Sequence, residues 1–203
     1  MSVRPHMPHM LLVIGLGNPG AEYEGTRHNV GRDVLAALAR NLESGISNIG
    51  WSTRVRLHAE ILECEIAGQR VVLGKPTTFM NESGKAAAAL TKKYPDAQLL
   101  VVHDDLDLPV GILRLTSDGS SGGQKGVQSI IDTLGTHDFL RLRIGIGPNA
   151  TPDGHRIPAE DFVLKRFPSS ERPAIDTAIA RAVETVTVLL RDGLPAAQRL
   201  ANT

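Results

Sequence analysis

Residue types with catalytic potential gather in two stretches of this 203-residue chain. The first runs Leu11-Leu12-Val13-Ile14-Gly15-Leu16-Gly17-Asn18-Pro19-Gly20 and on through Tyr23 to Thr26-Arg27-His28-Asn29. The second is His103-Asp104-Asp105-Leu106-Asp107. His28 stands just ahead of an amphipathic pattern, where the positive end of a helix dipole disfavours imidazolium. A neutral imidazole is what a general base needs near pH 7. A carboxylate from the second stretch would fix its tautomer, as in any His–Asp pair. No Gly-x-Ser-x-Gly elbow is present, and the one cysteine, Cys64, lies between Glu63 and Glu65 on a strand pattern. A histidine without a nucleophile points to activation of water.

Two phosphate-binding readings fail on residue type. Gly15-Leu16-Gly17-Asn18-Pro19-Gly20 fits G-x-G-x-x-G, but a dinucleotide turn needs its third glycine to open the helix directly. Pro19 removes an N–H from the turn, Glu22 and Glu24 bring negative charge, and the helical pattern waits until Val30. Gly119-Ser120-Ser121-Gly122-Gly123-Gln124-Lys125-Gly126 lacks the Gly-Lys-Ser/Thr order of a P-loop. It reads instead as a flexible lid with a cation at its end. Asn18, Asn29 and Asn81 all sit at loop-to-helix junctions, where capping is the ordinary role; Asn29 is expected to cap the first helix.

The elements that must position these groups follow from hydrophobic period. Met10–Ile14 and Gln98–His103 read as buried strands, the two most apolar, and therefore central. The aspartate-rich stretch 103–109 is expected as the loop beyond the second. Val30, Val34, Leu35, Leu38 and Leu42 mark a helix. Residues 54–61 alternate as a half-exposed strand, with a bulge expected at Ile61-Leu62, and Arg70–Leu73 is its hairpin partner. Helices are predicted over 81–93, 127–134 and 171–190, with strands over 111–116 and 140–146; residues 43–52 and 147–158 are loops. This order predicts a single-domain α/β three-layer sandwich over residues 1–203, with a mixed, mostly parallel twisted sheet and helices on both faces. Residues 1–9 are expected to be a flexible extension. Ligands of such sheets bind beyond the C-terminal strand ends.

Lysine plus arginine and aspartate plus glutamate number 22 each, a net charge of zero. A general nucleic-acid coat protein would carry a basic excess, so any nucleic-acid contact must be local. Arg114, Lys125, Arg141 and Arg143 are the expected basic footprint. A single cysteine excludes a disulfide framework and a cysteine-built metal site. No run approaches a membrane span and no secretory leader is evident, which makes the cytoplasm the expected compartment.

The motifs together resemble the bacterial peptidyl-tRNA hydrolase family along nearly the whole chain. The matching segments are Leu16–Gly20 with Tyr23, Thr26–Gly31, Lys75–Asn81 with Ser83-Gly84, His103–Pro109 with Gly111, and Phe139 followed by Arg141–Gly147. The resemblance implies a cofactor-free, metal-free monomer that hydrolyses the ester between a peptide and the 3′ end of tRNA. Its partner would be peptidyl-tRNA, gripped at the acceptor stem and 3′ end, with neither DNA nor membrane involved. His28 matches the catalytic base and Asp104 the carboxylate behind it. Asn18 and Asn81 match asparagines that hold the peptide main chain and ester, Tyr23 and Phe79 aromatics beside the terminal adenosine, and Arg143 one arm of a phosphate clamp. Two departures stand out. Gln124-Lys125 replaces the family's His-Asn, so that Lys125 stands where an asparagine contacts substrate, and Thr116 stands where the second clamp residue is expected, with Arg114 on the same strand parity. They keep open an alternative, an RNA-binding paralogue resembling the family's plastid intron-splicing relatives, with little or no hydrolysis.

Overall fold

A computed structural model describes residues 10–43, 50–150 and 154–203. The expected 1–9 extension and parts of the 43–52 and 147–158 loops lie outside the described residues. Seven strands form one sheet in the order β2-β3-β4-β1-β5-β7-β6. They are β1 (Met10–Gly15), β2 (Ser52–Arg54), β3 (Ala59–Ile66), β4 (Gln69–Pro76), β5 (Gln98–Pro109), β6 (Leu113–Thr116) and β7 (Leu140–Gly147). The β4–β1, β1–β5 and β5–β7 pairs are parallel; the β2–β3, β3–β4 and β6–β7 pairs at the edges are antiparallel. The two most apolar strands are adjacent at the centre, as expected of strands covered on both faces.

Alternation along β1 divides the core. Leu11 and Val13 face one layer, and Leu12 and Ile14 face the other. The first layer is built by α1 (Val30–Glu43), α4 (Ala159–Val163), α5 (Arg172–Asp192) and α6 (Leu194–Ala201), and the second by α2 (Ser83–Lys93) and α3 (Lys125–Leu134). The three-layer sandwich is thus the observed architecture.

Local differences from the sequence reading have physical causes. Residues 54–61 are not one strand: a 3-10 turn at Val55–Leu57 ends at His58, whose φ of 51° is left-handed. The β3–β4 register runs unbroken from Ala59↔Pro76 to Ile66↔Gln69, so no bulge occurs at Ile61-Leu62. Both side chains are buried because one belongs to each core layer. The aspartate stretch is not a loop but a continuation of β5 as far as Pro109, paired with β7 and irregular only between Asp105 and Pro109. The short helices α4 and α6 were not anticipated.

One close approach positions the chemistry. A Cβ on Gly31 would lie 2.4 Å from the Val102 carbonyl oxygen, and one on Gly15 would lie 2.4 Å from the Gly31 carbonyl oxygen. The first turn of α1 therefore presses on the ends of β1 and β5. His28 precedes Gly31 by three residues and Asp104 follows Val102 by two, so this contact brings the two stretches together. Gly15 serves helix–strand packing, not the approach of a pyrophosphate.

Candidate active site

The chain leaves β1 through Gly17-Asn18 and reaches α1 by two 3-10 turns, Ala21–Tyr23 and Arg27–Asn29. Only a three-residue 3-10 turn opens at Gly20, not the α-helix that a dinucleotide turn requires. Asn29 does not cap α1. It lies in the second turn, and its side chain accepts a hydrogen bond from Asn18 N at 2.8 Å while donating to Asn18 O at 3.0 Å. The Asn18 side chain then points its Oδ1 at Met80 N, 2.8 Å away. Because Met80 N–H can only donate, Oδ1 is the acceptor there, and Nδ2 has no hydrogen-bond partner among the described residues.

His28 Nδ1 lies 2.8 Å from Asp104 Oδ2, and the two residues are 8% and 2% exposed. A carboxylate accepts, so Nδ1 carries the proton and Nε2 is left as a base. The second carboxylate oxygen, Oδ1, accepts from Gln124 Nε2 at 2.9 Å. Gln124 also caps α3, its Oε1 accepting from Val127 N at 2.8 Å, and its Nε2 lies 3.3 Å from Met80 Sδ. Gly126 makes this convergence possible, since a Cβ there would fall 2.4 Å from that sulfur.

The turn carrying His28 is anchored from below by Arg27. Its buried guanidinium sits 4.3 Å from the Phe162 ring centre and 4.8 Å from that of Phe167, and it pairs with Glu171 at 2.6 Å. The turn carrying His28 and the α4–α5 connection are thereby one packed unit.

These groups open on a cavity of about 530 Å³ whose walls include Asn18, His28, Phe79, Asn81, Asp104 and Lys125. That size lies within the ordinary range for small-ligand sites. Phe79 is 53% exposed, and its ring meets Tyr23 edge-on with centroids 6.3 Å apart. Asn81 lies exposed in the 3-10 turn Met80–Glu82 that leads into α2. Among the predicted site residues, then, Asn18, His28, Phe79, Asn81, Asp104 and Lys125 share one cavity, with Tyr23 at its aromatic edge.

The basic footprint is only partly as expected. Arg143 stands beside the cavity rather than in its wall, donating from Nε to Asp105 Oδ2 at 2.6 Å. Arg114 is its cross-strand partner, and Thr116 is that of Arg141. Arg141 is not a surface cation: it is 3% exposed and donates from Nη1 to the Ser120 carbonyl, supporting the 117–123 loop. Burial lowers its pKa, and its closeness to Arg143 adds to that. Lys125 reaches across the mouth to Glu160 of α4, 3.7 Å away, with both side chains largely exposed.

Sequence reasoning missed Gln124 and Asn29 as site-builders. Cys64 is no rival nucleophile, because burial pushes its thiol up to about 11. Among the described residues, no three His, Cys, Asp or Glu side chains cluster as metal ligands, and no helix is long and apolar enough to cross a membrane.

Comparisons with known proteins point to one family throughout. A family model described as peptidyl-tRNA hydrolase matches residues 12–203. The peptidyl-tRNA hydrolase of Rhodococcus erythropolis is 47% identical over 189 residues, covering 92% of this chain and 95% of that protein. That of Dehalococcoides mccartyi is 45% identical over 196 residues, covering 95% and 100%. The crystal structure of peptidyl-tRNA hydrolase from Acinetobacter baumannii superposes with a TM-score of 0.86 at 34% identity, covering 98% of this chain and 97% of that one.

Proposed function

The chain belongs to the peptidyl-tRNA hydrolase family, and from that premise we propose how its residues carry out the hydrolysis of peptidyl-tRNA. The observation that carries the mechanism is the buried His28–Asp104 hydrogen bond at the end of the central strands. His28 Nε2 takes a proton from a water in the cavity as that water attacks the ester carbonyl carbon. Asp104 keeps the proton on Nδ1 and stabilises the imidazolium that forms. The free Nδ2 of Asn18 donates to the carbonyl oxygen as it becomes an oxyanion, and Asn81 holds the peptide main chain. Collapse of the tetrahedral intermediate expels the ribose oxygen, which regains a proton from His28, and tRNA and peptide separate.

Tyr23 and Phe79 form the edge-on pair on which the terminal adenosine stacks; base–aromatic stacking of this kind contributes about 1–3 kcal/mol per base. Arg143, with Arg114 opposite it, meets phosphates of the acceptor stem, and Lys125 approaches the substrate from the mouth. The protein acts as a cytoplasmic monomer. A purely RNA-binding role is not favoured, because it would need neither a buried His–Asp pair nor a donor fixed beside it. The test is cleavage of N-blocked against free aminoacyl-tRNA, with His28→Ala as control. Blocked substrate should be cleaved, and the alanine variant should lose about 10²–10⁴-fold in turnover. Near-native turnover without His28 would remove the base assignment.

A further inference from the structure

We propose that Gln124 is the positioning residue of the catalytic pair: its amide clamps the Asp104 carboxylate to the first turn of α3 and so holds the His28 tautomer. This rests on the reading of His28 and Asp104 as base and orienter.

The bond pattern admits one amide orientation. Asp104 Oδ1 can only accept and Val127 N–H can only donate, so Nε2 faces the first and Oε1 the second. The remaining Nε2 hydrogen meets the Met80 sulfur, a weak acceptor. Gln124 is 9% exposed, and among the described residues the Asp104 side chain has hydrogen bonds from His28 and Gln124. One carboxylate oxygen is thus tied to the helix and the other is left to the imidazole. A carboxylate held at both oxygens cannot rotate away from Nδ1, which is what orienting a base requires.

The clamp is also insensitive to pH, because an amide does not titrate. The charged groups around it are largely matched. On β5, Asp105 is paired with Arg143 of β7, and burial pushes the imidazole of His103 down, towards its neutral form. At the mouth, Lys125 of α3 faces Glu160 of α4. Below the turn, Arg27 is paired with Glu171. Replacing the amide by a group that titrates should therefore write a new limb into the pH–rate profile.

Three variants separate positioning from folding. Gln124→Glu keeps an acceptor for Val127 N–H, at a helix start where negative charge is favourable, but it sets a carboxylate against Asp104. It should remain folded at assay temperature, while kcat falls by roughly tenfold or more, the worth of one hydrogen bond to a charged group, and KM changes far less. In Gln124→His, a neutral imidazole has one donor and one acceptor and can do both jobs. That variant should retain most of the turnover above neutrality, then lose it with a steeper acid limb than the native enzyme as the new ring protonates. Gln124→Ala should be slow at every pH. The result that overturns the proposal is a folded Gln124→Glu with native kcat and native pH profile. So would an equal loss of stability and activity in all three, which would leave Gln124 only a helix cap. If His28→Ala, run alongside, turned over normally, the base reading would fail instead.

Discussion

At the ends of β1 and β5, Asn18, His28, Asp104 and Gln124 are each at least nine-tenths buried; Asp104 bonds both His28 and Gln124, and Asn18 and Gln124 each accept from a backbone N–H, all at 2.8–2.9 Å. On the β6–β7 edge the polar groups are arranged differently. Arg143 is half-buried and paired once, and among the described residues Arg114 bonds only its neighbour's carbonyl while the buried atoms Thr116 Oγ1 and Arg141 Nε find no partner. The first region spends its polarity on fixing a geometry, because moving a proton requires groups held in place before substrate arrives. The second, in its proposed role, needs only positive charge near a phosphate, which tolerates motion and is screened by salt. A net charge of zero is compatible with RNA chemistry on these terms: the cations are few and local.

Substitutions can sharpen or break this contrast. Asn18→Asp preserves the acceptor for Met80 N but removes the donor and adds a like charge beside the oxyanion. Single-turnover assays should show kcat down by about 10²–10³-fold, with little change in melting temperature. A fall below tenfold would mean that Asn18 is not an oxyanion donor. Arg143→Ala should act on binding instead. Titration of tRNA against salt should show weaker affinity and a log–log slope reduced by about one, with kcat at saturation nearly kept. A loss in kcat alone would show that the edge takes part in the chemistry. The smallest effect belongs to Lys125→Asn. The Lys125–Glu160 pair is exposed and long, worth about 0–1 kcal/mol, so turnover should stay level or rise by a few-fold at most. A collapse would give Lys125 a role of its own.

The same contrast explains what could be read from the sequence. The meeting of His28 and Asp104 was legible because each follows a buried strand pattern that places it at a ligand-binding end; their proposed roles come from the family resemblance. Central β1 and β5 were legible from apolarity alone. The bonds that hold the pair in place were not. Asn29 looks like a cap because it precedes a helix, and only the approach of Asn18 across the turn reveals its other use. Gln124 would have been found had the helix been started at Lys125 rather than Val127, since it then stands at the capping position. Arg141 shares its strand parity with Arg143, and nothing in that alternation tells that the 117–123 loop folds over the first and leaves the second open. Long-range closure, not local pattern, decides such cases.

In the proposed mechanism Asp104 holds the proton on His28 Nδ1 so that Nε2 can act as base. Asp104→Asn keeps the size and the bond to Gln124 within reach, but it can turn an N–H towards Nδ1 and favour the wrong tautomer. Single-turnover hydrolysis of N-blocked aminoacyl-tRNA, with tRNA affinity measured in parallel, is the direct test. Asp104→Asn should lose about 10⁴-fold, the magnitude found for the equivalent change in a Ser–His–Asp triad, with affinity unchanged. Turnover within tenfold of native would contradict it.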